Sequence, residues 1–394
     1  MIRYRWIWSS GLMLLPLLAV LFVACSSDDE EASPMLNIYV YAPERPTVTR
    51  AEIVPTNDEA RVYNLQIWVF RSSDPSKMVA SLTLKTEEEL QALNNDKGAT
   101  YSVAITDHSF ARYPEPVDIY VLANVLDNNG TNVLENINSS TDLDEACFNG
   151  GHFFSFMKSP EYQAATTIPE GKGVPMSGVA RGRSVVDKNS VFHINDANLK
   201  LVRDVSKIRF VFSSLDGEDQ LYIDGVTLDN NMLYKKEHFF LDDAHPYYWV
   251  EDPFTLSGDK QVQLVKGDLI NPVKHVQGVD PIAYAITSEM SDEEYETKIN
   301  EGISEGKLTQ FPVVYLPESD KKLTGTIWYR LSSDTSPAGR KSAKFSMIAG
   351  DFRRNQTWIV YSYYIGSSKL EINTVKVTNW KDETPQDPHE LHNW

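Results

Sequence analysis

The chain has 394 residues, with 37 Lys and Arg against 55 Asp and Glu, which gives a net charge of −18. This length and an apolar share of 42% predict two folded domains and exclude a largely disordered chain. The negative charge excludes nucleic acid as a partner, because an acidic surface repels the phosphate backbone. The 2 cysteines are too few for a disulfide framework or a cysteine-based four-ligand zinc site.

The first 24 residues have the layout of a secretory signal peptide. Arg3 and Arg5 precede an apolar stretch that ends at Ala24, and a basic start before an apolar core is typical of such signals. The alternative, a membrane-spanning helix, needs about 20 apolar residues, and Pro16 interrupts this shorter stretch. We therefore predict a signal peptide over residues 1–24.

Ala24 stands directly before Cys25, and an acidic run follows at residues 28–31. A small residue before Cys resembles a bacterial lipobox, in which the Cys is acylated and becomes the new N-terminus. The acidic run resembles the surface-export signal of Bacteroidetes lipoproteins, and a solvated tether is its alternative interpretation. A lipid on Cys25 leaves Cys147 without a disulfide partner, and we predict that Cys147 is a small buried apolar residue.

Beyond residue 32 the pattern is mostly that of β-strands. Leu36, Ile38 and Val40 alternate with polar or aromatic residues, which predicts a strand over 36–41. Residues 117–125 are almost continuously apolar, which is typical of a strand buried on both faces. Further strands are predicted over 62–70, 78–84, 101–105, 199–212, 261–265, 311–316, 324–331, 358–365 and 370–377.

Helices are few in this pattern. Short ones are predicted over 87–93 and 142–148, with Thr86 and Thr141 as N-caps. Many strands separated by turns predict an all-β fold of two antiparallel β-sandwich domains. We place the boundary between the two domains near residue 195.

The sequence carries few of the patterns of enzyme and metal sites. It has no HExxH, P-loop or CxxC motif and no zinc-ligand spacing. We therefore predict that the chain is not an enzyme and binds no metal or other cofactor.

Five segments, in chain order, resemble the fimbrillins of Bacteroidales, which are the pilins of type V (FimA/Mfa-like) fimbriae. They are the lipobox with its acidic run and residues 61–70 (RVYNLQIWVF), 174–178 (VPMSG), 201–208 (LVRDVSKI) and 354–360 (RNQTWIV). Their common order across nearly the whole chain makes the resemblance specific.

The resemblance implies two transthyretin-like β-sandwich domains and a route of assembly. The subunit reaches the outer membrane as a lipoprotein, and an Arg-specific protease removes its N-terminal segment together with the first strand. A strand from another fimbrial subunit then fills the open groove. In this sequence Leu36, Ile38 and Val40 belong to the strand that would be removed.

The cleaved bond would join Arg50 to Ala51. Arg45 is a poor alternative because Pro46 follows it, and Arg61 leads directly into a predicted core strand. An ordinary loop arginine is the alternative interpretation of Arg50. The resulting division is a signal peptide (1–24), a lipid tether and propeptide (25–50), two sandwiches (51–195 and 196–380) and a C-terminal tail (381–394).

The tail predicts the place of the subunit in the fimbrium. Residues 381–394 contain two prolines and little alternation, which makes a poor donor strand and favours a subunit at the tip that accepts a strand without donating one. Because Trp394 resembles the end of stalk subunits, a stalk subunit stays an alternative. Either subunit would act in adhesion and biofilm formation and could bind a host or bacterial surface receptor. A second alternative is an anchored glycan-binding lipoprotein, with residues 247–249 (YYW) as its candidate binding cluster.

Overall fold

Four β-sheets, arranged as two pairs, form the fold of this chain in a computed structural model. It describes residues 34–43, 59–95, 98–125, 134, 136–149, 168, 171–188, 191–194, 199–215, 217–250, 252–258, 261–276, 290–334, 336–347, 352–366 and 369–377. Within these ranges there are 21 strands and four short α-helices. The predicted all-β sandwich class with few helices is confirmed.

The first pair of sheets comes from the first half of the chain. Its strands are β1 (Met35–Tyr41), β2 (Leu65–Arg71), β3 (Asp74–Leu84), β4 (Gly98–Ala104), β5 (Val117–Ala123), β7 (Met176–Arg183), β8 (Val185–Lys188), β9 (Val191–Ile194), β10 (Leu199–Lys200) and β11 (Val202–Arg203). One sheet has β1 between β4 and the strands β9 and β10, with β8 beyond β9. The other has the order β11-β7-β5-β2-β3, and apolar residues of both sheets share one core.

The second pair comes from the second half of the chain. Its strands are β12 (Ser206–Ser214), β13 (Leu221–Leu228), β15 (Val262–Asp268), β16 (Thr309–Gln310), β17 (Val314–Leu316), β18 (Thr324–Leu331), β19 (Lys341–Ser346), β20 (Thr357–Tyr364) and β21 (Leu370–Val377). One sheet has β12 between β20 and the strands β16 and β17, with β21 outside β20, and the other has the order β15-β13-β18-β19. In addition, β6 (Cys147–Asn149) pairs with β14 (Lys236–His238).

The two halves repeat one arrangement around their first strands. Strand β1 is antiparallel to β4 and parallel to β9 and β10, and β12 is antiparallel to β16 and β17 and parallel to β20. The strands differ in burial. All nine residues of β12 are buried, whereas β1 alternates between buried residues and more exposed ones.

A helix explains the complete burial of β12. The helices are α1 (Glu87–Asn95), α2 (His108–Arg112), α3 (Ser140–Asp144) and α4 (Asp292–Ser304). Tyr295 and Ile299 of α4 pack on Val211 of β12, and Asn300 of α4 accepts a hydrogen bond of 2.6 Å from the buried Arg209. Strand β12 therefore has the core on one face and α4 on the other.

The helix predictions were partly right. Helix α1 has its predicted cap, because Thr86 Oγ1 accepts from the Glu89 amide at 3.3 Å. Helix α3 begins at Ser140 and is capped by Ser139, not Thr141, and the end of the predicted range lies in β6. Helix α4 was not predicted from the sequence. Its capping box of Ser291 and Glu294 matches the Ser-x-x-Glu pattern that is typical of a helix N-terminus.

The predicted strand over 199–212 is divided among three sheets. Strand β10 pairs with β1, β11 pairs with β7, and β12 begins the second pair of sheets. Alternation along the sequence continues through these changes of partner and so could not reveal them. The domain limits given above stay a prediction.

A buried cluster of charges lies where the two halves meet. Arg354 Nη1 is 2.6 Å from Asp204 Oδ1, Arg354 Nε is 3.4 Å from Glu318 Oε2, and Arg354 Nη2 is 3.7 Å from Glu237 Oε2. The ring of Tyr248 covers the guanidinium, with 3.3 Å between Cζ and the ring centroid. The cluster joins strands of both halves, because Asp204 also accepts a hydrogen bond of 2.6 Å from the Ser177 hydroxyl of β7.

The cluster predicts a pH-dependent stability that Glu237 controls. Burial raises the pKa of Glu237 well above its ordinary 4.5, and Arg354 opposes the rise. The native state therefore binds this proton more tightly than the unfolded chain, so this contribution to stability is lost as pH rises from 4.5 through the raised pKa. We expect Glu237→Gln to increase the free energy of unfolding by about 1–2 kcal/mol at pH 8 and to leave it unchanged below pH 4.5, measured by urea unfolding.

The matched control is Glu88→Gln in α1, whose side chain is exposed. It should follow the wild type at every pH. The assignment to Glu237 would be wrong if Glu237→Gln kept the full slope of stability against pH. A smaller slope should remain, because burial raises the pKa of Asp204 to about 6.

Candidate functional site

Strand β1 is the candidate site. It lies inside its sheet, and its partner strands come from distant parts of the sequence. It is antiparallel to β4 along its whole length. On its other edge it is parallel first to β9 and then to β10. The Leu201 amide donates to the Tyr41 carbonyl at 2.9 Å, and the Ile105 amide donates to the Pro34 carbonyl at 2.8 Å. Both edges of β1 are therefore paired.

The inner face of β1 carries the three residues predicted for the removable strand. Leu36, Ile38 and Val40 are fully buried, and Val103 and Tyr101 of β4 lie opposite Leu36 and Ile38. Burial of each aliphatic side chain contributes about 1.5–3 kcal/mol. Without β1, an apolar trough would be exposed between β4 on one side and β9 and β10 on the other, and the backbone groups of these strands would be unpaired. We call this trough with its two strand edges the slot.

The outer face of β1 is polar and aromatic. The Ser102 hydroxyl donates to Asn37 Oδ1 at 2.6 Å. The rings of Tyr39 and Tyr41 meet edge to face with 4.5 Å between centroids, and Tyr39 is 39% exposed. A strand in this position thus needs one apolar face and one face that tolerates solvent.

Tyr101 of β4, which lies opposite Ile38, carries a polar group without a partner among the described residues. The hydroxyl of Tyr101 is buried and has no hydrogen-bond partner among the described residues. Burial raises the pKa of Tyr101 to about 12, so the hydroxyl keeps its proton. A buried unpaired hydroxyl is unfavourable, and the pairing of β4 with β1 leaves this one unsatisfied.

The predicted cleavage and lipid sites fall outside the described residues. Arg50 and Ala51 lie between two described ranges, the first of which ends at Pro43 and the second of which begins at Glu59. Cys25 lies before the first described residue. Cleavage at Arg50 and acylation of Cys25 stay predictions.

Glu59 fixes the chain on the far side of this segment. Its carboxylate is buried, 3.1 Å from Lys207 Nζ, and accepts a hydrogen bond of 2.6 Å from the Tyr315 hydroxyl. Its carbonyl accepts from Arg203 Nε at 2.9 Å. No sequence pattern points to Glu59, because Lys207 and Tyr315 lie 148 and 256 positions away. A cut before Glu59 would leave this anchor intact.

The aromatic cluster at residues 247–249 is turned largely inward. Tyr248 covers Arg354, and Trp249 is stacked against Tyr247 and Tyr234 with centroids 4.8 and 6.2 Å apart. Tyr248 and Trp249 are buried, and Tyr247 is 52% exposed. The three rings do not form the open platform that a sugar-binding face requires.

A cleft of about 710 Å³ lies beside α3 and β7. Arg181 reaches Asp144 Oδ1 at 2.6 Å and donates to the Leu241 carbonyl at 3.0 Å. Burial raises the pKa of Asp144, while its hydrogen bond and charge contact with Arg181 oppose the rise. These contacts tie the wall of the cleft to the loop at Leu241 and serve the fold.

Two side chains, Cys147 and Ser304, are potential nucleophiles. Cys147 Sγ lies 3.7 Å from His238 Nδ1, but burial lowers the pKa of His238, which disfavours the imidazolium that would stabilise a thiolate. Cys147 is a free cysteine that is only partly buried, which corrects the prediction of a buried residue, and burial raises the pKa of its thiol. Residues 302–306 (GISEG) match the GxSxG pattern. Ser304, however, ends helix α4 and donates to the Glu301 carbonyl at 2.8 Å, whereas a nucleophile elbow requires a strand-to-helix turn.

In the part of the chain that the structure describes, no group of three or more His, Cys, Asp or Glu side chains is placed to hold a metal ion. No helix in those ranges is long and apolar enough to cross a membrane.

A solved structure shares the fold of this chain, and two others resemble it with lower scores. A candidate cell adhesion protein from Parabacteroides distasonis is 13% identical, with a TM-score of 0.51 over 89% of this chain and 99% of that one. The tip fimbrial protein Mfa3 from Porphyromonas gingivalis, with a C-terminal truncation, is 13% identical, with a TM-score of 0.47 over 89% and 100%. A candidate cell adhesion protein from Bacteroides eggerthii is 14% identical, with a TM-score of 0.49 over 88% and 96%.

The comparisons of sequence gave no match, either to a protein-family model or to a curated protein. The likeness to the Parabacteroides distasonis protein extends over nearly the whole of both chains. The resemblance to Bacteroidales fimbrillins is therefore confirmed at the level of the fold.

Proposed function

We propose that this chain is a structural subunit of a cell-surface fimbrium with a non-catalytic role in adhesion and biofilm formation. The fold that it shares with a candidate cell adhesion protein supports this role. The proposal rests mainly on the position of β1 in its sheet. It is a central strand from the start of the chain, and both of its edges are paired with strands distant in sequence.

In this proposal the precursor is exported by the signal peptide at residues 1–24 and acylated at Cys25, which anchors it in the outer membrane. An Arg-specific protease then cuts between Arg50 and Ala51. The mature subunit joins an extracellular fimbrium, where its partners are other fimbrial subunits and a host or bacterial surface receptor.

The physics of β1 explains why a cut matters. Before the cut, the chain holds β1 beside its slot at a high effective concentration. Afterwards β1 is bound only by its sheet pairing and by the burial of Leu36, Ile38 and Val40, so that a strand from another subunit can replace it. Addition of a strand satisfies the backbone groups at the edges of the slot, and the anchor at Glu59 holds the remaining chain in place.

We place the subunit at the tip of the fimbrium. Strand β21 is paired with β20 along its whole length, so the last described strand is used within its own sheet. Residues 381–394 contain two prolines and little alternation, which makes them poor donors of a strand.

The test is digestion of the full-length precursor with an Arg-specific protease, followed by sequencing of the new N-terminus. We expect the product to begin at Ala51, because Arg45 precedes a proline and Arg61 is held by Glu87 at the surface of the fold. We expect Arg50→Ala to abolish this product and the capture of an added donor strand.

Arg45→Ala is the matched control and should be cut like the wild type. A wild-type precursor that stays uncut between β1 and Glu59 would contradict the proposal. Cleavage that is not followed by capture of any strand would contradict the strand-addition step alone.

A further inference from the structure

Gly98 of β4 is covered by the ring of Tyr39 from β1. A Cβ atom on Gly98 would lie 2.5 Å from the Tyr39 hydroxyl oxygen and 2.8 Å from two ring carbons, Cε1 and Cζ. In the ladder Tyr39 pairs with Thr100 and Gly98 pairs with Tyr41, so the ring crosses diagonally to the glycine. It lies directly on the backbone of β4.

Space, and not backbone conformation, explains the glycine. Gly98 does not have a positive φ angle, so another residue could adopt its conformation. Glycine within a strand weakens the strand unless another group covers it, and an aromatic ring from the neighbouring strand provides such cover. Gly98 and Tyr39 therefore act as a pair across the slot.

The slot thus makes different demands on its two faces. The inner positions of Leu36, Ile38 and Val40 are fully buried and require aliphatic side chains. On the outer face, Asn37 is hydrogen-bonded to Ser102, and the next outer position faces Gly98. The order along the strand is aliphatic, polar, aliphatic, aromatic, aliphatic.

We propose that the slot selects an incoming strand with this order, in which an aromatic residue takes the place of Tyr39 and covers Gly98. The inference rests on the proposed function, since it concerns the strand that replaces β1. It assigns Gly98 as a specificity-determining residue on the accepting subunit.

The partner that fits is a strand of a different protein chain, not the C-terminal strand of a second copy of this chain. If Leu370 and Ile372 took the places of Leu36 and Ile38, Asn373 would stand at the place of Tyr39. Thr374 would then stand at the place of Val40. Residues 378–394 contain a single Leu, Ile or Val, which is Leu391, and so cannot supply the three aliphatic positions.

The test measures the capture of labelled peptides by the full chain after digestion with the Arg-specific protease. The peptides are residues 34–43 with the natural sequence, with Tyr39→Phe and with Tyr39→Ala, and residues 369–377 as the candidate from a second copy. We expect the Tyr39→Phe peptide to bind like the natural one, and the Tyr39→Ala peptide to bind about fivefold more weakly. The peptide 369–377 should bind more weakly than the Tyr39→Ala peptide.

A Gly98→Ala variant completes a double-mutant cycle. The added methyl group displaces the ring, so this variant should bind the natural and Tyr39→Ala peptides with nearly equal affinity. Equal capture of these two peptides by the wild-type slot would overturn the inference, as would an unchanged preference in Gly98→Ala. Strong capture of peptide 369–377 would overturn the choice of partner.

Failure of the proposed function gives a different result, because no peptide would then be captured, and the inference would fall with it. Urea unfolding of the uncut chain tests the Gly98–Tyr39 pair without cleavage. Tyr39→Ala should lower the unfolding midpoint, and Tyr39→Phe should not. An equal midpoint for both variants would contradict the pairing.

Discussion

Ile38→Asp should lower the free energy of unfolding of the uncut chain by more than about 4 kcal/mol. Ile38 is fully buried in the core between the first pair of sheets. It lies opposite Tyr101, and a carboxylate there would lose its hydration in an apolar core. The same substitution should leave the cut protein unchanged once a natural-sequence peptide of residues 34–43 has replaced β1, because the altered strand is then gone. Urea unfolding of both forms measures the difference.

Ile208→Asp in β12 is the matched control. Ile208 is also fully buried in the core, and β12 occupies the corresponding place in the second pair of sheets. This substitution should destabilise the uncut and the exchanged forms equally, because β12 is not replaced. If Ile38→Asp destabilised both forms equally, β1 would not be an exchangeable strand.

The contrast between β1 and β12 has a simple physical origin. Strand β12 is covered by α4 on its outer face, and Arg209 is bound there to Asn300 and Gln310. The outer face of β1 has no such helix among the described residues, and its Tyr39 is partly exposed. A strand that is apolar on one face only can leave its sheet at a smaller loss of buried area.

The sequence predicted the strands well where the pattern was local. The alternation of apolar with polar or aromatic residues correctly predicted β1. The nearly continuous run of apolar residues correctly predicted β5, which is buried on both faces as expected. Predicted limits over 324–331 and 370–377 agree with β18 and β21. These patterns depend on burial of neighbouring positions, which the sequence records directly.

Features that depend on distant partners could not be predicted in this way. The covering of Gly98 by Tyr39, the anchor at Glu59 and the division of residues 199–212 among three sheets all require the pairing of strands far apart in the chain. Alternation gives the face of a residue but not its neighbour. The strands that pair with β1, on which its proposed function depends, could therefore be identified only from the structure.

The buried charge cluster at the junction between the halves should be sensitive to the loss of its central cation, Arg354. Arg354→Met should lower the free energy of unfolding by about 3–5 kcal/mol at neutral pH, because it leaves Asp204 and Glu237 buried without their cation, whereas Glu318 keeps Arg353, whose Nη1 lies 2.8 Å from Glu318 Oε1. The loss should be smaller at acidic pH. Burial raises the pKa values of Asp204 and Glu237, and both groups can then take up protons.

Lys235→Met is the control, because it removes an ion pair at the surface instead of one in the buried cluster. Lys235 Nζ lies 2.7 Å from Asp252 Oδ1, with both side chains about half exposed, and exposed pairs contribute less than about 1 kcal/mol. Equal losses for Arg354→Met and Lys235→Met would show that the cluster does not hold the junction. Among the described residues, the hydrogen bonds and ion pairs of Arg354 involve no residue of β1, so the Arg354→Met loss should be the same before and after strand exchange. That equality would show that one strand can be replaced while the two halves stay joined.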